Sequence, residues 1–390
     1  MAVEWKRIAL AAAVAVLLAR PALDQKMRYG VYVEPGPMDA VLLRDYEPES
    51  SLVVPETRID KARFPVIDAH THSFTNGATE KAVDDWVHAM DESGVQLSIV
   101  FTDAIGAEFD RQAELFLKRH PGRFQVYCSL DLNGYDQPGF SERSVRELER
   151  CYRRGARGVG EMSDKGWGLM PSVLTVKPFK WQPVPRDRRL HSDDPRLAAV
   201  WEKCAELKMP VNLHVADHPS CWRPLGPTQE RTSDFQHFNL YGQDVPSWED
   251  LIASRDRLLA RHPRTIFVAA HLGNQGHNLA ALAAALDRFP NLIVDLSARD
   301  YELGREPRTA LRFLTKYQDR VLFGTDMGRD VAMYRGWWRL LESADEYLPG
   351  RVWWRLYGLD LTPEVLEKLY RGNARRILPG IAALTPVSGQ

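Results

Sequence analysis

From Phe64 onward the chain alternates short apolar runs rich in β-formers with longer stretches of helical period, and it does so eight times. The runs are 66–72, 97–103, 124–131, 156–161, 210–217, 266–273, 292–297 and 321–326. Helical patterns between them cover 78–93, 107–119, 144–154, 197–207, 248–261, 280–288 and 309–317. The joints repeat as well. Lys118-Arg119-His120-Pro121, Ala260-Arg261-His262-Pro263 and Asp287-Arg288-Phe289-Pro290 each place a proline just ahead of a run, where it stops one helix before the next strand begins. Eight β/α units in one chain of 390 residues predict an α/β fold, a (β/α)8 TIM barrel, with an open doubly wound sheet as the rival.

Composition narrows what such a barrel acts on. The formal net charge is −1 and no long basic or acidic run appears, so neither nucleic acid nor an anionic membrane surface is the expected partner. A small-molecule substrate is, and assembly of identical chains stays open. Cys128, Cys151, Cys204 and Cys221 lack any CxxC spacing and read as small buried apolar side chains. Residues 8–19 are uncharged, between Lys6-Arg7 and Arg20-Pro21. That run is short for a bilayer and suits the apolar segment of a secretory signal peptide, so 1–23 is read as a signal or an N-terminal anchor. On this reading the protein is exported, periplasmic or extracellular; with Met27 as the true start it would be cytoplasmic. Residues 24–63 carry Pro35, Gly36, Pro37, Pro48 and Pro55 and are expected to form an extended arm before the barrel at 64–378, with 379–390 as a tail.

The chemistry-bearing residues gather at the ends of the runs. The first ends in Asp68-Ala69-His70-Thr71-His72, and the two-residue period of a strand turns His70 and His72 to one side, where both can grip one cation. Asp68 falls on the same face one pleat deeper, where a carboxylate needs a partner, and is given a supporting role. Glu161, His214, His271 and Asp326 end four further runs. Parallel strands present these ends to one rim, so residues far apart in sequence converge, and imidazoles with a carboxylate are ligands for Zn²⁺, Mn²⁺ or Fe²⁺. The longest insertions, 162–195, 218–245 and 327–361, leave the same rim, and their Trp167, Trp222, Trp337, Trp338, Trp353 and Trp354 either roof a pocket or pack the loops. Arg299 and His218 stand just past strand ends, placed to meet a substrate carboxylate or carbonyl, and Trp222 is a further candidate contact. His120 and His262 sit at the opposite joints and read as caps.

These motifs together resemble the amidohydrolase superfamily, in its amidohydrolase-related branch that includes aminocarboxymuconate-semialdehyde decarboxylase. The residues are Val66-Ile67-Asp68-Ala69-His70-Thr71-His72, Pro210-Val211-Asn212-Leu213-His214, Val268-Ala269-Ala270-His271-Leu272-Gly273-Asn274, Leu322-Phe323-Gly324-Thr325-Asp326 and Gly372-Asn373-Ala374-Arg375-Arg376. The resemblance implies that His70, His72, His214 and Asp326 bind a catalytic divalent transition metal, zinc first, as one ion or two. It implies that His271 is a second-metal ligand or a proton-transfer group, and leaves Glu161 either bridging two ions or only bonding a loop. Asp326 would then carry the proton of an activated water and His271 would hold the developing oxyanion. The expected reaction is hydrolysis of a C–N or C–O bond in a small molecule; the alternative is non-oxidative decarboxylation of an aromatic or unsaturated acid. The closing helix, opened by Thr362-Pro363-Glu364 with Leu366, Leu369 and Tyr370 on one side, is read as structural, completing the outer ring.

Overall fold

The computed structural model describes residues 26–28, 31–33, 36–42, 45–46, 49–73, 79–169, 185–349 and 354–381; the proposed export segment 1–23 and Trp353 lie outside them. The chain divides into two compact units, Met1–Val53 and Val54–Gln390. In the first, Lys26–Arg28 pairs antiparallel with Val31–Val33, and Pro37–Ala40 forms a 3-10 turn.

The second unit is built on eight parallel strands: β1 Val66–His72, β2 Val95–Phe101, β3 Phe124–Tyr127, β4 Val159–Asp164, β5 Val211–Val215, β6 Phe267–Ala269, β7 Leu292–Asp295 and β8 Val321–Leu322. Ladders join β1 to β3 and β4 to β8. Cys128 bridges to Val159 across the first gap. At the second, Ala69 N donates to Phe323 O at 2.9 Å and Asp326 N donates to His70 O at 2.8 Å. The sheet therefore closes on itself, which removes both edges and disposes of the open-sheet alternative.

Each strand is followed by a helix: α1 Glu80–Ser93, α2 Gly106–Arg119, α3 Phe140–Arg153, α4 Ala198–Glu206, α5 Trp248–Arg261, α6 Leu279–Arg288, α7 Pro307–Lys316 and α8 Val331–Glu342. Their starts follow local chemistry. Thr79 caps α1 by accepting from Ala82 N, Ser247 caps α5 by accepting from Asp250 N, and Asp330 caps α8 by accepting from Ala332 N and Met333 N. His120 and His262 end α2 and α5 and bond Asp84 and Glu202, as their place at the joints suggested. Among the described residues, no helix is long and apolar enough to cross a membrane.

Three expectations change. The stretch 327–361 is no mere insertion, because α8 occupies much of it, and its Trp337 and Trp338 do not roof the pocket. They pack on the outside of the barrel against Phe323, with Trp338 stacked on Tyr334 and edge-on to Tyr370. Both rings are large apolar surfaces on the inward face of an amphipathic helix, so burial decides their place.

Asp68 does not share a face with His70. The register of β1 against β2 shifts between Asp68 and Thr71. That irregularity inverts the parity on which a period-two argument depends. Asp68 thus faces α8, accepting from Thr325 Oγ1 at 2.7 Å, Thr325 N at 3.0 Å and Tyr334 Oη at 2.8 Å. Burial pushes its carboxyl up to about 6 even against these donors.

The C-terminal segment does more than complete the ring. Leu366, Leu369 and Tyr370 are buried, and Leu369 O accepts from Phe323 N. Beyond them Ala374, Leu378 and Ile381 pack with Ile67, Leu97, Ile293 and Leu322, plugging the barrel end away from His70 and His72. Asn373 secures the plug by donating to Gln318 O at 2.6 Å and Val321 O at 2.7 Å.

The chain ahead of β1 is tied to α8 through Asp345, which accepts from Thr57 N at 2.7 Å and Thr57 Oγ1 at 2.6 Å and pairs with Arg339 at 2.7 Å. Burial raises the Asp345 pKa, but Thr57 and Arg339 outweigh it and hold the carboxyl below its ordinary value. A depressed folded pKa contributes stability above the unfolded value, about 3.9, and loses it as pH falls through the folded one. Asp345→Asn should therefore cost on the order of 1–2 kcal/mol near neutral pH. In urea melts run at falling pH, wild type and variant should begin to converge below about pH 4 and meet only once pH has passed the depressed folded value; a gap that stays constant with pH would show that the charge contributes nothing.

Candidate metal centre

Six side chains meet where the strands end. His70 and His72 come from β1, Glu161 from β4 and His214 from β5. His271 and Asp326 lie just past β6 and β8, at φ values of 59° and 68°. Left-handed backbone at non-glycine residues costs on the order of 1 kcal/mol or more, and it recurs where a site over-determines its geometry. Gly324 belongs to the same construction. A Cβ there would come within 2.8 Å of His70 Cβ, so only glycine lets the β8 chain pass so close to this imidazole.

Each of the six functional groups lies within 4 Å of at least one other. Glu161 Oε1 lies 2.9 Å from His214 Nδ1, 3.3 Å from His271 Nε2 and 3.7 Å from His70 Nε2, while its Oε2 lies 3.5 Å from His72 Nε2. Asp326 Oδ1 is 3.3 Å from His72 Nε2 and 3.5 Å from His70 Nε2. Among the described residues, two triads are compact enough to hold an ion, His70 with His72 and Asp326, and His70 with Glu161 and His271. His214 joins the set through Glu161.

The far nitrogen of each imidazole has its own partner. His70 Nδ1 bonds Asp295 Oδ2 at 2.9 Å, His72 Nδ1 bonds Asp103 Oδ2 at 3.2 Å, and His214 Nε2 bonds Asp217 Oδ1 at 3.1 Å. His271 Nδ1 bonds Ser297 O at 2.9 Å. In the neutral tautomer that donates outward, the inner nitrogen turns a lone pair toward the space shared with Glu161 and Asp326, an arrangement that binds a cation. His70 Nε2 shows it most plainly: it is buried and has no hydrogen-bond partner. The donor set therefore fits a divalent metal.

Without an ion, the carboxylates and imidazoles hold one another charged. Burial opposes charge on Glu161, yet His214, His271 and His72 outweigh it and hold the carboxyl well below its usual range. Asp326 is likewise held low by His70 and His72 against burial. Burial also opposes a charged His70, but Asp295 foremost pushes that ring up to about 10. His271 goes the other way: burial, with His214 and Arg299, outweighs Glu161 and keeps it below its ordinary value.

A family model described as amidohydrolase matches residues 67–380. The chain belongs to the amidohydrolase family. Members act on small molecules and generally use a divalent metal, in keeping with the ligand groups just described. No curated protein matches this chain. Among solved structures, 2,6-dihydroxybenzoate decarboxylase from Rhizobium is similar at 18% identity and a TM-score of 0.48, covering 80% of this chain and 98% of that one. 5-Carboxyvanillate decarboxylase from Sphingomonas paucimobilis is similar at 13% identity and 0.45, covering 80% and 98%. 4-Oxalomesaconate hydratase from Rhodopseudomonas palustris is similar at 16% and 0.46, covering 80% and 95%.

Around the centre of this amidohydrolase, the remaining candidates fall into two groups. Arg299 is committed to the protein: it donates to Ala298 O at 2.9 Å, Tyr301 Oη at 3.1 Å and Asn274 Oδ1 at 2.5 Å, and pairs with Glu302 at 3.4 Å. Asn274 in turn donates to Val215 O and Ala216 O, so this pair fixes the His271 loop to the end of β5. Trp222 is half-buried and spends its indole N–H on Pro246 O, and Trp354 spends its own on Tyr301 O. Trp167 stacks under Arg189, with 4.8 Å from the guanidinium carbon to the ring centre. His218 makes fewer bonds: Nδ1 accepts from Ser220 N, the ring stacks on Phe235 at 5.7 Å, and Nε2 is 3.9 Å from Glu302. Burial, with Arg231, His277 and Arg299, drives His218 down to about 3, so it stays a neutral imidazole.

The outer partners Asp103, Asp217, Asp295 and Ser297 were not singled out from sequence. The signal was present, since all four lie at the C-terminal ends of the expected β runs. What was missing is which imidazole each one meets.

Proposed function

We propose that this amidohydrolase hydrolyses a C–N or C–O bond of a small molecule: an amide, cyclic amide, lactone or ester. The observation that carries the reading is the position of Glu161, whose carboxylate faces the inner nitrogens of all four histidines instead of bonding a loop. On this reading His70, His72, His214 and Asp326 hold a divalent transition metal, zinc first, and Glu161 with His271 completes room for a second ion. An ion held there supplies Lewis acidity, acidifying water and polarising a carbonyl. Asp326, about a third exposed, carries the proton on its free oxygen. His271 keeps Nδ1 bound to Ser297 O, so Nε2 can take up a proton and pass it to the departing amine or alkoxide. Export, read from residues 1–23, would place this reaction outside the cytoplasm.

Decarboxylation uses the same imidazoles and Asp326 to deliver a proton to carbon, and it has no use for Glu161 among the ligands. Glu161 is thus the residue to test. Glu161→Gln should lower the metal content per chain and reduce hydrolysis by on the order of 10²-fold. A substrate screen under several metals, following CO2 release beside hydrolysis, supplies the assay. Carbon dioxide released from aromatic acids, undiminished in Glu161→Gln, would overturn the proposal.

A further inference from the structure

Lys165 lies just past β4, four residues beyond Glu161, and sequence reasoning gave it no role. Its ammonium is 3.1 Å from Asp217 Oδ2, and the other oxygen of Asp217 holds His214. Asp217 is thereby used on both sides, once by the metal centre and once by the lysine. Among the described residues Asp217 is the only ion-pair partner of Lys165, and about a third of the lysine side chain, 32%, is exposed. An ammonium has three donors, so one ionic contact leaves N–H groups for a further acceptor.

The neighbouring cations differ in this respect. Arg299 is held by Ala298, Tyr301, Asn274 and Glu302, and Arg231 by Asp234, Tyr301 and Glu302. Both arginines are nearly buried and spend most of their donors on the protein, Arg299 Nε alone being left without a hydrogen bond, and His218 beside them remains uncharged. Burial works against the charge on Lys165, but Asp217, Glu161 and Asp326 keep it an ammonium.

We infer that Lys165 is a substrate-contacting residue that binds a carboxylate of the substrate beside the metal centre, which makes the substrate class a small carboxylic acid bearing the hydrolysable bond. The inference rests on the hydrolytic reading for the bond broken but not for the acid bound. A carboxylate oxygen replaces water on the ammonium. The contact is charge-assisted, and a neutral analogue of the same shape forfeits most of it.

The test is a binding measurement that needs no turnover. Acetate, succinate and benzoate are titrated into the zinc-loaded full chain by calorimetry, each beside its neutral amide, for wild type, Lys165→Met and Lys165→Arg. Wild type should prefer at least one acid over its amide, Lys165→Met should lose about tenfold of that preference, and Lys165→Arg should keep most of it. Zinc content equal in all three proteins separates this from damage to the centre through Asp217. The inference is overturned if no acid binds wild type in preference to its amide, or if the preference survives in Lys165→Met. Acid binding that depends on Lys165, in a protein that releases CO2 and hydrolyses nothing, would sink the hydrolytic reading and leave this subsite standing.

Discussion

Replacing His70 and His72 together by alanine should strip the metal and reduce activity by on the order of 10³-fold or more. His70 is the more demanding position. Its ring is fully buried and sits in both candidate ion-binding triads. It also bonds Asp295, a carboxylate with no exposed surface. Removing the imidazole withdraws one partner from a buried charge, which costs on the order of 3 kcal/mol where nothing replaces it. Asp295 keeps Asn212 Nδ2, His271 N and Ser297 as donors, which softens the loss. His72→Ala alone separates ligand loss from instability, because its outer partner Asp103 is 44% exposed and can be hydrated. Metal analysis and thermal melts of the single and double variants decide the matter. The ligand assignment is wrong if the double variant melts normally and still carries a full complement of metal.

Asp326→Asn should keep the fold and much of the metal and lose turnover by about 10²–10⁴-fold. The substitution is nearly isosteric, and the backbone bond from residue 326 N to His70 O is untouched. What goes is the negative charge, set 3.3 Å from His72 Nε2 and 3.5 Å from His70 Nε2, and with it the capacity to accept a proton. The expected kinetic signature is a fall in kcat with little change in KM, since the group acts on the reacting proton and not on binding. Near-normal kcat in a metal-loaded variant would remove Asp326 as proton carrier.

Much of the fold was legible because its rules are local. Proline at three of the helix-to-strand joints, caps such as Thr79 and Ser247, and a two-letter alternation of period are properties of a few adjacent residues. The histidines and acids at strand ends were legible for a related reason: parallel strands in a closed barrel have one common rim, whatever the loops do. Legibility failed where a single residue of register mattered. Asp68 was placed on the wrong face because a shift between Asp68 and Thr71 resets the alternation, and nothing in Asp-Ala-His-Thr-His announces it. Trp337 and Trp338 were set among possible roofing residues because an insertion and an outer helix look alike until the partner surface is known.

The sequence by itself determined that eight parallel β/α units form and that His70, His72, Glu161, His214, His271 and Asp326 stand at the ends of their strands, since periodicity and strand polarity suffice for both; closure into a barrel was decided by the structure. Only the tertiary structure decided that Glu161 faces four imidazoles, that Asp103, Asp217, Asp295 and Ser297 turn them inward, and that Lys165 reaches the centre through Asp217. Those contacts join residues up to 225 positions apart. A distance of that kind is set by closure of the sheet and the packing of side chains within it, and no local pattern in the chain encodes it.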